Sequence, residues 1–116
     1  MAIIVETRYP ENLVDQIKES IDNQEIDTWQ YDNDGDFTHT ASQWVNHAWF
    51  RPYIEGDRLT FGILGRKDSF LTINEYGIYH GRFAEMLMSH FSSDITEIII
   101  QSPFVNSKDT HKIEQR

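Results

Sequence analysis

The 116 residues, 39% apolar and 25% charged, have the balance of one globular domain, and no apolar run approaches the roughly 18 residues that a membrane helix needs. The absence of cysteine excludes disulfides, thiolate metal sites and thiol nucleophiles. The net charge of -9 is lopsided, since residues 1–50 hold ten acidic side chains against Arg8 and Lys18. Such a field repels phosphate backbones and argues against a nucleic-acid partner.

Ala2 to Glu6 is a short apolar run, predicted as a central strand and too short for the apolar region of a signal peptide. A cytoplasmic protein without membrane attachment is expected. Pro10 and Glu11 suit the start of a helix, and Leu13, Val14, Ile17 and Ile21 recur on one face, which predicts a helix over residues 10–23. From Thr28 to Thr40 the period falls to two, around a hairpin loop of Asn33, Asp34 and Gly35. That register sets Trp29 opposite His39 and Tyr31 opposite Phe37 on a buried face. A second hairpin is predicted from Ala48 to Leu64 around Gly56 and Asp57, with Phe50, Pro52, Ile54, Leu59, Phe61 and Ile63 facing inward. Pro52 lacks a backbone donor, which places its strand at an edge or its nitrogen on a non-bonded side.

Thr72 followed by Glu75 forms a capping box that opens a helix over residues 73–91. Its predicted inner arc is Ile73, Tyr76, His80, Phe83, Ala84, Leu87 and Phe91, with Glu75, Arg82, Glu85 and Ser89 outside. Ile95 to Gln101 reads as a strand buried on both faces, and residues 106–116 as a polar tail to a domain spanning residues 1–105. The order of elements predicts an α+β two-layer sandwich: an antiparallel sheet with two helices on one face, ferredoxin-like with an extra hairpin.

Candidate chemistry is sparse. Asp32, Asp34 and Asp36 alternate around Gly35 as in a calcium loop, but no register supplies the bidentate glutamate, so a solvated hairpin tip is expected and no metal or cofactor is assigned. His39 and His80 fall on the apolar faces of their own elements, which makes them candidates for acid–base catalysis, with Arg51 to hold an anionic substrate. The competing role is a buried imidazole bonded to a backbone carbonyl or a tyrosine. Between Trp29 and Phe61, Trp44, Trp49 and Tyr53 are the aromatic side chains left for a ligand-binding platform once the predicted inner faces are filled. Arg82 and Glu85 are spaced as a helix-surface ion pair.

The segments Ile26-Asp27-Thr28-Trp29, Asp34-Gly35-Asp36-Phe37-Thr38-His39-Thr40 and Tyr79-His80-Gly81-Arg82-Phe83, with Glu85-Met86-Leu87 after the last, resemble a group of small uncharacterised bacterial proteins. The resemblance implies a bacterial source and no chemistry. Charge and size favour a small non-catalytic binding or regulatory protein that sets its acidic half against a basic protein partner, as immunity and antitoxin proteins do. A small enzyme with a His39/His80 pocket and an aromatic ligand-binding module are the alternatives. Backbone groups left free beside Pro52 also suggest a homodimer.

Overall fold

The computed structural model describes residues 2–67 and 69–102. The chain runs β1 (Ile3–Thr7), α1 (Pro10–Asp22), β2 (Trp29–Tyr31), β3 (Phe37–His39), β4 (Ala48–Glu55), β5 (Arg58–Gly65), α2 (Ile73–Phe91), a single 3-10 turn (Ser92–Asp94) and β6 (Ile95–Ile100). The fold is mixed α+β, two helices with a curled six-stranded antiparallel sheet in the order β2-β3-β4-β5-β1-β6. The tail expected over residues 106–116 lies outside the described residues.

Local chemistry accounts for the elements. Pro10 occupies the first turn of α1, where a missing N–H removes no helical bond. Thr72 and Glu75 close a reciprocal capping box on α2. The first hairpin pairs in the predicted register, Trp29 with His39 and Tyr31 with Phe37, and the second sets Glu55 against Arg58 and Phe50 against Ile63. Gly35 and Gly56 carry φ of 81° and 63°, left-handed values that a side chain disfavours, so each turn depends on its glycine. Pro52 sits where β4 extends past β3, whose pairing with β4 is the single pair Phe37 and Phe50.

Ile3 and Val5 of β1, Leu13, Val14 and Ile17 of α1, Phe50, Leu59, Phe61 and Ile63 of the second hairpin, and Tyr76, Tyr79, Phe83 and Leu87 of α2 join one buried cluster. Phe83 is its knot. Its ring lies 4.8 Å from Trp29, 4.7 Å from Phe50, 4.7 Å from Phe61 and 6.0 Å from Phe37, so one helical side chain touches strands β2, β3, β4 and β5.

Three expectations need correction. The inner arc of α2 is turned toward Tyr79 and Met86, which leaves Ile73 52% exposed and buries Glu75. Ile54 is 47% exposed because it lies near the tip of its hairpin, beyond the core. β6 is the last strand of the sheet and pairs only with β1 among the described residues, so Ile95, Ile98 and Ile99 are half-buried while Thr96, Glu97 and Ile100 are exposed. On the face of the sheet turned away from the core, Ile4 and Thr60 are also buried. In the register Thr60 lies between Tyr53 and Ile4.

Phe83→Ala is therefore expected to cost about 3–5 kcal/mol, the range for emptying a packed aromatic site. Urea unfolding measures it, and a loss below about 1 kcal/mol would show that Phe83 does not organise the core.

Candidate functional site

His39 ends β3 and His80 lies mid-way along α2, and both are buried, at 6% and 1% exposure. The Nδ1 of His39 accepts the Ala41 N–H at 3.1 Å, which places the ring proton on Nε2. Its ring meets the edge of Trp29 at 5.1 Å. Burial first, and then the positive charge of Arg82, holds its pKa below the usual histidine value. His80 donates from Nδ1 to the Tyr76 carbonyl at 2.7 Å, stacks on the Tyr76 ring at 4.2 Å and meets Phe50 edge-on at 4.9 Å. Each imidazole is thus bonded to backbone and packed among rings.

Arg51 points the other way. Along β4 the side chains alternate, so Phe50 enters the core while Trp49, Arg51 and Tyr53 share the opposite face. There Arg51 makes a bidentate bond to Asp36, Nε to Oδ1 at 2.9 Å and a terminal nitrogen to Oδ2 at 2.7 Å. Asp36 is 3% exposed, so this pair satisfies a buried carboxylate. The side-chain oxygens of Asp32, Asp34 and Asp36 lie within 4.8 Å of one another, but Asp32 Oδ1 accepts the N–H groups of Asp34 and Asp36 while Asp36 is engaged by Arg51. Trp44 is separate from Trp49 and Tyr53, in the loop after β3, where it packs on the core and meets the His47 ring edge at 6.0 Å.

A polar network that sequence reasoning missed joins this loop to α2. Nδ1 of His47 bonds Oε2 of Glu75, and Arg66 approaches the same oxygen at 3.8 Å. The other carboxylate oxygen accepts the Thr72 N–H at 3.1 Å. Burial acts to raise the Glu75 pKa, but the bonds from His47 and Thr72 outweigh it, and the carboxyl is held below its usual range. Nearby, the Tyr79 hydroxyl donates to the Trp44 carbonyl and lies 3.1 Å from the Thr38 hydroxyl. Thr38 in turn donates to the Ala48 carbonyl and accepts the Asn46 N–H. A tyrosine on α2 thereby supplies polar partners where β3 and β4 separate after one pair. The signals available were the capping box for Glu75 and its helical spacing to Tyr79. Nothing in the chain order placed His47 against them.

The acidic side chains form the other constellation. At 100° per residue Glu11, Asp15, Glu19 and Asp22 fall within about 80° on the outside of α1, opposite Leu13, Val14 and Ile17, and all four are exposed. The Tyr31 hydroxyl donates to both Asp22 oxygens at 2.7 and 2.9 Å, and Lys18 Nζ sits 5.6 Å from the centre of the Tyr31 ring. These contacts tie the β2–β3 hairpin to the end of α1. Exposed Asp32 and Asp34 at the hairpin tip therefore extend the field of the helix.

No protein-family model, curated protein or solved structure matches the chain. Among the described residues, no helix is long and apolar enough to cross a membrane.

Glu75 has a depressed folded-state pKa, so its stabilisation is fully present above the ordinary carboxylate range and is lost as pH falls through the depressed value. Glu75→Gln should lower stability at neutral pH by about 1–3 kcal/mol and flatten the acid limb of the stability–pH curve. An unchanged acid limb in the variant would show that the carboxylate is not held by this network.

Proposed function

We propose that the protein is a small, non-catalytic binding or regulatory protein that presents the acidic face of α1 and the β2–β3 tip to a basic protein partner, in the manner of immunity and antitoxin proteins. The observation that carries this reading is that the acidic stripe works against its own helix. Glu11 with Asp15 and Asp15 with Glu19 are like charges at i,i+4, each unfavourable by about 0.2–0.5 kcal/mol. Glu19 and Asp22 lie at the negative end of the helix dipole, and the last turn holds no basic residue. Glu11 suits the positive end of the dipole and Lys18 lies within the stripe, but four carboxylates against one lysine leave an excess that helix stability does not account for, whereas a basic partner would neutralise it. A cytoplasmic, bacterial setting is part of the same reading.

The finer architecture proposed with it is the two-layer, ferredoxin-like sandwich with both helices on one face and β2–β3 as the added hairpin. Setting that hairpin aside leaves the antiparallel order β4-β5-β1-β6, and α2 links β5 to β6, which flank β1 and run the same way. Side chains of both helices meeting in one core cluster also support it.

Two measurements test the function. Affinity for the basic partner should fall at least tenfold between about 50 and 500 mM salt, because the screening length of exposed charges shortens from about 14 Å to about 4 Å over that range. Salt-independent affinity would exclude the acidic face. Glu19→Lys should raise the fold's stability by about 0.5 kcal/mol, by removing repulsion with Asp15 and favouring the dipole, while weakening the complex. A variant that is less stable and binds equally well contradicts the reading.

A further inference from the structure

At one end of the sheet the β1–α1 loop, the start of α1 and the turn before β6 border a cleft of about 350 Å³, at the small end of the roughly 300–1,000 Å³ of ligand pockets. Three features shape it. β1 and β6 lose register there, Glu6 facing Glu97 but Thr7 facing Ile95, so Thr96 is the extra residue of a bulge, and it joins the lining. Asn12 and Gln16, one turn apart on α1, form another wall, and the Thr7 hydroxyl donates to the Asp94 carbonyl, which ties the turn to β1. The third feature is charge. Arg8 and Asp94 both line the cleft and are exposed, and neither makes an ion pair among the described residues, with the other or with any third group. Arg8 is one of two basic side chains in the first 50 residues, and the other, Lys18, lies over the Tyr31 ring. In so acidic a half of the chain, an arginine whose charge the fold leaves unanswered is open to a ligand.

From these observations we infer that the cleft binds a small zwitterion of the α-amino-acid class with a polar side chain, its carboxylate on Arg8 and its ammonium on Asp94. One cation and one anion, both unpaired and in the same lining, match a molecule that carries both charges. A simple anion would be repelled by Asp94, and a simple cation by Arg8. The guanidinium suits a carboxylate because its fork can bond both oxygens. Asn12, Gln16, Ser93 and Thr96 offer donors and acceptors to a polar side chain, beside the buried Leu13. A ligand of about ten non-hydrogen atoms held in this way dissociates in the range of roughly 0.1–5 mM. The cleft includes none of the carboxylates Glu11, Asp15, Glu19 and Asp22, so this inference goes beyond the acidic docking face and stands or falls separately from it.

Amide chemical-shift titration of the full chain with L-glutamine up to about 50 mM tests the inference. Saturable shifts are expected at Arg8, Asn12 and Thr96. N-acetylglutamine, which lacks the ammonium, and glutaminamide, which lacks the carboxylate, should each bind about tenfold or more weakly. L-leucine, with both charges and an apolar side chain, should also bind more weakly than glutamine. Arg8→Gln and Asp94→Asn should each weaken glutamine binding about tenfold or more and leave the melting temperature unchanged, since both side chains are exposed and unpaired. Arg8→Gln should not weaken glutaminamide further, because the group it contacts is already gone. No saturable shift, an analogue or leucine that binds as tightly as glutamine, or a variant that binds glutamine unchanged would overturn the inference.

Discussion

The packing of Phe83 into the aromatic core is the constraint on which the rest of the structure depends. The sheet's far end is thinly hydrogen-bonded, with strands of three residues in β2 and β3 and one pair joining β3 to β4. Backbone pairing alone would hold that hairpin weakly. What fixes it is the contact of Trp29 and Phe37 with Phe83, together with the Tyr79 hydroxyl that answers the polar groups where β3 and β4 part. α2 thus acts as the clamp of the sheet. The bond from His47 to Glu75 adds a second tie from the same helix to the loop that follows β3.

With α2 so committed on its inner side, the remaining surfaces divide the polar and apolar excess of the chain between them. α1 turns four carboxylates outward without basic residues in its last turn, and α2 turns two glycines outward without a neighbour to require them. Both choices oppose helix stability by amounts that matter against a total folding free energy of only about 5–15 kcal/mol. The buried histidines, by contrast, are integrated into the core: each has a backbone partner and aromatic contacts.

Much of the fold was legible because its signals are local. The left-handed demands of Gly35 and Gly56, the Thr72–Glu75 box and the alternation around Trp29 and Phe50 each depend on neighbours within a few residues, and their registers and caps follow. The inner arc of α2 was only partly legible, since Ile73 and Tyr79 lie near opposite margins of an apolar stripe and the sheet decides which of them is covered. Strand order decided β6 in the same way: its isoleucines read as buried, yet its place at the end of the sheet leaves them half covered. The pairing of Asp36 with Arg51 and of Glu75 with His47 joins residues 15 and 28 positions apart, which periodicity does not connect. The acidic stripe was visible as an excess in the first half of the chain and its single face follows from the period of the predicted helix, but its link through Asp22 and Tyr31 to the hairpin tip needed the fold.

The central claim is that the acidic field is concentrated where a basic partner docks, and amide chemical-shift mapping with a hexalysine probe tests it most directly. The account predicts salt-sensitive shifts confined to the outer face of α1, around Asp15, Glu19 and Asp22, and to Asp32 and Asp34. Shifts spread evenly over the carboxylates of the second half, such as Glu55, Asp57, Glu85 and Glu97, would contradict it.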